Sequence, residues 1–187
     1  IAELEFTQVE KMKKLFLLLL IPILTSCASE SKTSTQSEIK INLPQSCLTS
    51  KVFEAVKSEV PNAQFIDTKW EPAPNTELAD VLNNGGLACS YGDQAAAIGA
   101  TIRWVRDGKG NFEKWVSSWQ SEGYQKVNLS KYGLPPGYFL QKAQSDTQEI
   151  PIWNLNFKSG GVWVSIGRTS GTSLRDGENL INAVLTQ

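Results

Sequence analysis

The sequence predicts an α+β fold, a single domain in which helices pack on a twisted antiparallel sheet. Three features lead there: strict apolar alternation recurs between residues 87 and 168, tight turn signals separate the alternating runs, and stretches of helical period lie before, between and after them. Strands joined by tight turns are antiparallel neighbours, because parallel ones need crossovers of about a dozen residues.

The elements follow in chain order. Leu48, Val52, Ala55, Val56 and Val60 stand at helical spacing, with Thr49 or Ser50 as N-cap and Pro61 ending the run. Ala63–Thr68 reads as a short strand, and Trp70–Pro74 as a turn-rich connection. Asn83-Asn84-Gly85-Gly86 is the strongest turn signal and leads into Leu87, Cys89 and Tyr91. After Gly92-Asp93, Ile98, Ala100, Ile102 and Trp104 share one side of a second strand, giving a hairpin with one buried face. Past Asp107-Gly108-Lys109-Gly110, Asn111 is expected to cap a helix carrying Phe112, Trp115, Val116 and Trp119 on one stripe, with Gly123 as its left-handed C-terminal residue.

Tyr124–Leu129 can return as a strand, Pro135-Pro136-Gly137 turns the chain into Tyr138–Lys142, and Ala143–Glu149 reads as a polar loop. Ile150–Phe157 and Val162–Arg168 form the clearest hairpin, around Lys158-Ser159-Gly160-Gly161. Leu180, Ile181, Val184 and Leu185 belong to a last helix capped by Ser173 or Asp176.

Composition excludes several functions. The 187 residues carry 18 basic and 19 acidic side chains, a net charge of −1, so there is no cationic excess to neutralise phosphates and a nucleic-acid partner is not expected. The chain has no histidine, which removes a Ser-His-Asp triad, a histidine metal site and the usual general base near neutral pH. No cofactor and no metal are expected.

Residues Met12–Ser26 have a basic start (Lys13, Lys14), an apolar run from Leu15 to Ile21 and a small-residue exit, the pattern of a secretory leader too short to span a bilayer. Residues 1–11, with three glutamates ahead of the basic region, are set aside as upstream translation or a non-native remnant. The exit ends on cysteine: Leu24-Thr25-Ser26-Cys27 resembles the lipobox of bacterial lipoproteins. That resemblance implies that the Cys27 thiol takes a diacylglycerol, that cleavage falls just before it, and that the protein is held on the extracytoplasmic face of the cell membrane, or at the outer membrane of a Gram-negative source. Residues 27–40, polar and rich in Ser and Thr, are expected to form a flexible tether, and residues 41–187 the globular domain.

With Cys27 assigned to lipid, Cys47 and Cys89 remain, and two leftover cysteines in an exported domain are expected to pair. The alternative is two buried free thiols. Beyond the leader, the layout is similar to small secreted lipoproteins of actinobacteria. It has a cysteine ahead of the first helix (Cys47), then Gly85-Gly86-Leu87-Ala88-Cys89-Ser90-Tyr91-Gly92, then Ser121-Glu122-Gly123-Tyr124 closing a helix and a late Val162-Trp163-Val164 strand. That likeness implies an extracytoplasmic lipoprotein and brings no catalytic residues with it.

The remaining chemistry lies in carboxylates and aromatics. Asp67, Glu71, Glu77, Asp80, Asp93, Asp107, Glu113, Glu122, Asp146, Glu149, Asp176 and Glu178 are scattered, mostly in expected turns and caps, without a spacing that demands a shared site. Gly85-Gly86 and Gly160-Gly161 read as turns rather than phosphate cradles. Gly108-Lys109-Gly110-Asn111 opens a helix and could hold an anion, though loop and cap is the favoured reading. Of six tryptophans, Trp104, Trp115 and Trp119 face the core. Trp163, with neighbours Ser165 and Gly167, and Trp70, beside proline and charge, are candidates with Ser165 for a binding surface unless a second helix layer covers that face.

The reading is a non-catalytic, lipid-anchored domain that binds an envelope protein, polymer or small ligand. The alternatives are a structural lipoprotein bracing an envelope complex, and a carboxylate-dependent envelope hydrolase.

Overall fold

The computed structural model describes residues 38–145 and 151–187. Seven strands form one antiparallel sheet: β1 (Gln64–Ile66), β2 (Leu87–Asp93), β3 (Ile98–Arg106), β4 (Gln125–Val127), β5 (Gly137–Lys142), β6 (Ile152–Ser159) and β7 (Val162–Arg168). Their spatial order is β1-β2-β3-β7-β6-β5-β4, so two meanders meet where β3 pairs with β7. Helices α1 (Lys51–Glu59), α2 (Glu77–Asn83), α3 (Asn111–Ser121) and α4 (Glu178–Leu185) cover the sheet, making the α+β architecture that the turn-joined strands predict. No helix among the described residues is long and apolar enough to cross a membrane.

Strand parity divides the helices between two faces. On one face Ile102, Trp104, Leu155, Phe157, Val164 and Ile166 are fully buried against α1 (Val52, Val56) and α4 (Leu180, Ile181, Val184). On the other, Val105 and Trp163 meet α2 (Val81) and α3 (Phe112, Trp119) in a second core. The β2–β3 hairpin therefore buries residues on both faces, not one, because β3 lies inside the sheet and α3 comes back over it.

Local chemistry sets the ends of the elements. The Ser50 hydroxyl accepts the Val52 N–H at 3.1 Å and starts α1. Cys47 and Cys89 stand at disulfide distance, 2.04 Å between sulfurs, and join the turn before α1 to β2 across 42 residues. The β6–β7 turn is two glycines, Gly160 at φ 55° and Gly161 at φ 74°, where a side chain on either would be strained. Glu38 and Ile39, expected in the tether, are fastened to this turn: the Ser159 hydroxyl donates to the Ile39 carbonyl at 2.8 Å and the Gly160 N–H to the Glu38 carboxylate at 3.1 Å. Ser173 and Asp176 cap one turn reciprocally ahead of α4, so both residues read from the sequence take part.

Two expectations change. The two-turn helix α2 was not anticipated; only Ala79 and Val81 are buried in it, too few to set up a visible period. Asn111 is the first residue of α3 and not its cap. Gly110 holds the cap position, and the capping acceptor comes from Asp107, whose carboxylate accepts the N–H groups of Asn111 (2.6 Å) and Phe112 (3.2 Å) while pairing with Lys158 Nζ at 2.9 Å. That carboxylate fills the place where an anion would sit, so the loop reading holds there. Gly123, at φ 97°, is the left-handed residue after α3, as the spacing predicts.

Burial opposes ionisation of Asp107, but the Lys158 ammonium and the two backbone N–H bonds outweigh it and hold the carboxyl below its ordinary range. A depressed acid stabilises the fold above its unfolded pKa, and that contribution fades as the pH falls through the folded value. Asp107→Ala should cost about 2 to 4 kcal/mol at neutral pH in urea unfolding. The gap to the parent chain should shrink as the pH drops below about 3.9; a gap independent of pH would contradict this role.

Candidate functional site

The face that carries α2 and α3 is only partly covered. Cross-strand register places Ser90, Thr101, Gly167 and Asn154 in one row across β2, β3, β7 and β6. Arg103, Ser165 and Asn156 form the next row, and Val105, Trp163 and Lys158 the one beyond. Helix α3 seals the last row, and its cover stops near Ser165. What stays open is a cleft over the first row and the Arg103 end of the second, where Asn156 and Ser165 are buried; it is made of two cavities of about 680 Å³ and about 480 Å³ that share Arg103 and Asn154.

Its floor is polar. The Ser90 and Thr101 hydroxyls hydrogen-bond each other at 2.9 Å, leaving each with further capacity toward the cleft. Gly167 leaves room at the floor for the Asn154 amide, whose Oδ1 would lie 2.7 Å from a Cβ at that position. Arg103 stands where the two cavities meet, its guanidinium 3.4 Å from the Glu77 carboxylate on the first turn of α2. The walls are aromatic: half-buried Trp70 lines the larger cavity, and Trp115 and Tyr124 the smaller. The Trp70 N–H donates to the Ala88 carbonyl at 3.0 Å and the Trp115 N–H to Asp80 Oδ2 at 2.7 Å, which orients both rings.

The two acids of α2 behave oppositely. Burial raises the Glu77 carboxyl above its ordinary range; the Trp119 N–H and Arg103 pull it back and Glu122 adds to the rise. Asp80 is also penalised by burial, yet its bonds to Lys114 (2.8 Å) and Trp115 win and lower it. Burial, with the charges of Glu77 and Glu122, pushes the Tyr124 hydroxyl up to about 12, against the opposing influence of Asn154 and Arg103, so it stays a neutral donor and acceptor.

The predicted surface residues separate here. Trp70 and Ser165 line adjoining cavities of one cleft. Trp163 does not belong to a surface: it is 1% exposed, its N–H donates to Asn156 Oδ1 at 3.2 Å, and its ring lies 5.7 Å from that of Trp119. The second helix layer covers it, because the apolar stripe of α3 needs a flat apolar partner. Trp115, expected in the core, is instead a half-buried wall. Asn154, Arg103 and Glu77 went unnoticed as a group; the alternation of Asn154 and Asn156 on an otherwise apolar strand was the one available signal.

Cys27 lies outside the described residues, as do Asp146 and Glu149. Asp93 accepts the N–H groups of Ala95 (2.9 Å) and Ala96 (3.3 Å) in its own turn. No group of three or more metal-ligating side chains is present among the described residues. A separate cavity of about 560 Å³ beside β4 has, among the described residues, Glu38 and Lys126 as its charged groups, and Glu38 is engaged by Gly160. No family model, curated protein or solved structure matches the chain.

Because the folded state holds the Glu77 proton that the unfolded chain has released, the fold loses stability as pH rises past the ordinary value of 4.5, a loss complete above the folded pKa. Glu77→Gln keeps an acceptor for Trp119 and removes that slope. Thermal unfolding should show the variant close to the parent at about pH 4 and more stable than it at about pH 7. A variant that loses ground with rising pH would contradict the assignment.

Proposed function

We propose that the chain is a lipid-anchored, extracytoplasmic binding domain that takes its ligand in the cleft over β2, β3, β7 and β6 and performs no chemistry on it. The observation that carries the reading is the cleft itself: a concave site with convergent hydroxyl, amide and guanidinium groups on its floor and oriented aromatic rings on its walls is how a recognition site is built. The Leu24-Thr25-Ser26-Cys27 exit supports the anchor. The disulfide-distance pair Cys47–Cys89 supports an oxidising compartment, where such bonds persist. Envelope proteins, envelope polymers and small envelope solutes are the partners such a location offers.

A second reading, a carboxylate hydrolase, is favoured by one observation. Glu77 lines the cleft with its carboxyl raised by burial, the condition a general acid needs. Glycosidase-type hydrolysis also needs a second carboxyl about 5 to 9 Å away. Asp80, the other acid of α2, is held ionised by Lys114 and Trp115.

The anchor is tested by fractionating bacteria that express the whole chain. The parent protein should enter the detergent phase and incorporate labelled palmitate, whereas Cys27→Ser should stay aqueous and unlabelled. A Cys27→Ser chain that still carries label in the membrane fraction would overturn the anchor.

A further inference from the structure

We propose that the cleft binds an uncharged glycan chain, with a pyranose ring seated on Trp70 and ring hydroxyls bonded to the polar floor beside it. This rests on the binding reading above and narrows it to a ligand class.

The charge inventory comes first. Among the described charged side chains lining the cleft, the Asp93 carboxylate accepts N–H groups of its own turn, and Arg168 pairs with Glu59 at 3.0 Å and bonds Ser170 at 3.0 Å. Among the described residues that leaves Arg103 with Glu77, a pair of zero net charge. A phosphate or a polyanion would meet Glu77 as well as Arg103, and a cation the reverse, so neither is favoured. An apolar ligand would strip water from Ser90, Thr101, Asn154 and Arg103 without replacing their hydrogen bonds. A peptide adding as a strand needs a free sheet edge, and the cleft lies on the face of the sheet, over its interior strands β3, β7 and β6.

A neutral, hydroxyl-rich chain meets each condition. A pyranose has an apolar face of C–H groups that suits the electron-rich face of an indole, and a rim of hydroxyls that both donate and accept. The cleft has the Trp70 ring on its wall and paired hydroxyls, an amide and a guanidinium on its floor. Two adjoining cavities that share Arg103 and Asn154 suit consecutive sugar units better than one compact molecule. Tyr124, kept neutral by a hydroxyl pKa raised to about 12, adds a further donor and acceptor beside Asn154.

The test uses the full chain in detergent. Intrinsic tryptophan fluorescence is titrated with three uncharged tetrasaccharides: chitotetraose, cellotetraose and maltotetraose. At least one should change the emission saturably. Trp70→Ala and Asn154→Ala should each weaken that binding by about tenfold or more, while Lys126→Ala, at the separate cavity beside β4, should leave it unchanged. Near-ultraviolet circular dichroism checks each variant's fold, and Asn154→Ala alone decides the matter should Trp70→Ala fail to fold. Binding that is indifferent to Asn154→Ala overturns the proposal. If no tetrasaccharide binds, the proposal also falls, and a ligand-observed NMR screen of small polar fragments then separates two cases. Fragments displaced by Asn154→Ala leave the cleft a binding site for another class; no fragment binding removes the binding reading too.

Discussion

A seven-stranded sheet has two faces to keep from water, and this chain has unequal means of covering them. Helices α1 and α4, with the segment around Ile41, close one face over a continuous core that includes Trp104, Leu155, Phe157 and Ile166. Among the described residues the other face has the two-turn α2 and the three-turn α3, which seal Val105, Trp163 and Asn156 but leave the Ser90–Thr101–Gly167–Asn154 row partly open. The incomplete cover is tolerable because the rows left open carry Ser90, Thr101, Arg103 and Asn154, whose polar groups are satisfied by one another or by water. Register and helix length together place the cleft.

Its chemistry is tied to the packing around it. Glu77 caps the cleft on one side and accepts the Trp119 N–H on the other, so the same carboxylate joins the second core to the open floor. Burying that group raises its pKa, a destabilising contribution that Arg103 and Trp119 reduce without cancelling. Asp80, one helical turn on, anchors Trp115 and Lys114 and so fixes the far wall. The buried Asn156 performs a related service by accepting the Trp163 N–H, which lets an indole enter the core with its polar atom satisfied.

Much of this order was legible in the residues. Turn signals and alternation located both hairpins, the helix spacing located α1, α3 and α4, and the cysteine arithmetic named the pair that stands at 2.04 Å. Trp163 was misjudged for a physical reason. Its same-face neighbours Ser165, buried to 6% exposure, and Gly167 do line the cleft, but alternation along a strand does not reveal how far a helix laid over that strand reaches, and α3 reaches over Trp163. The Asp107 cap was hidden because Gly108-Lys109-Gly110 separates it from the helix it serves. Helix α2 lacks the apolar repeats that reveal a longer helix. The grouping of Glu77, Arg103 and Asn154 depends on β3 and β7 pairing across 60-odd residues of chain, a contact that local spacing does not encode.

The central claim is that the α2/α3 face ends in an open cleft while its remainder is sealed. Hydroxyl-radical footprinting of the six tryptophans reads that division directly. Trp70 and Trp115 should oxidise readily, and Trp104, Trp119, Trp153 and Trp163 should be protected until the chain unfolds. Oxidation of Trp163 at the rate of Trp70 in the native protein would mean that α3 does not lie on the sheet and that the cleft has no such boundary.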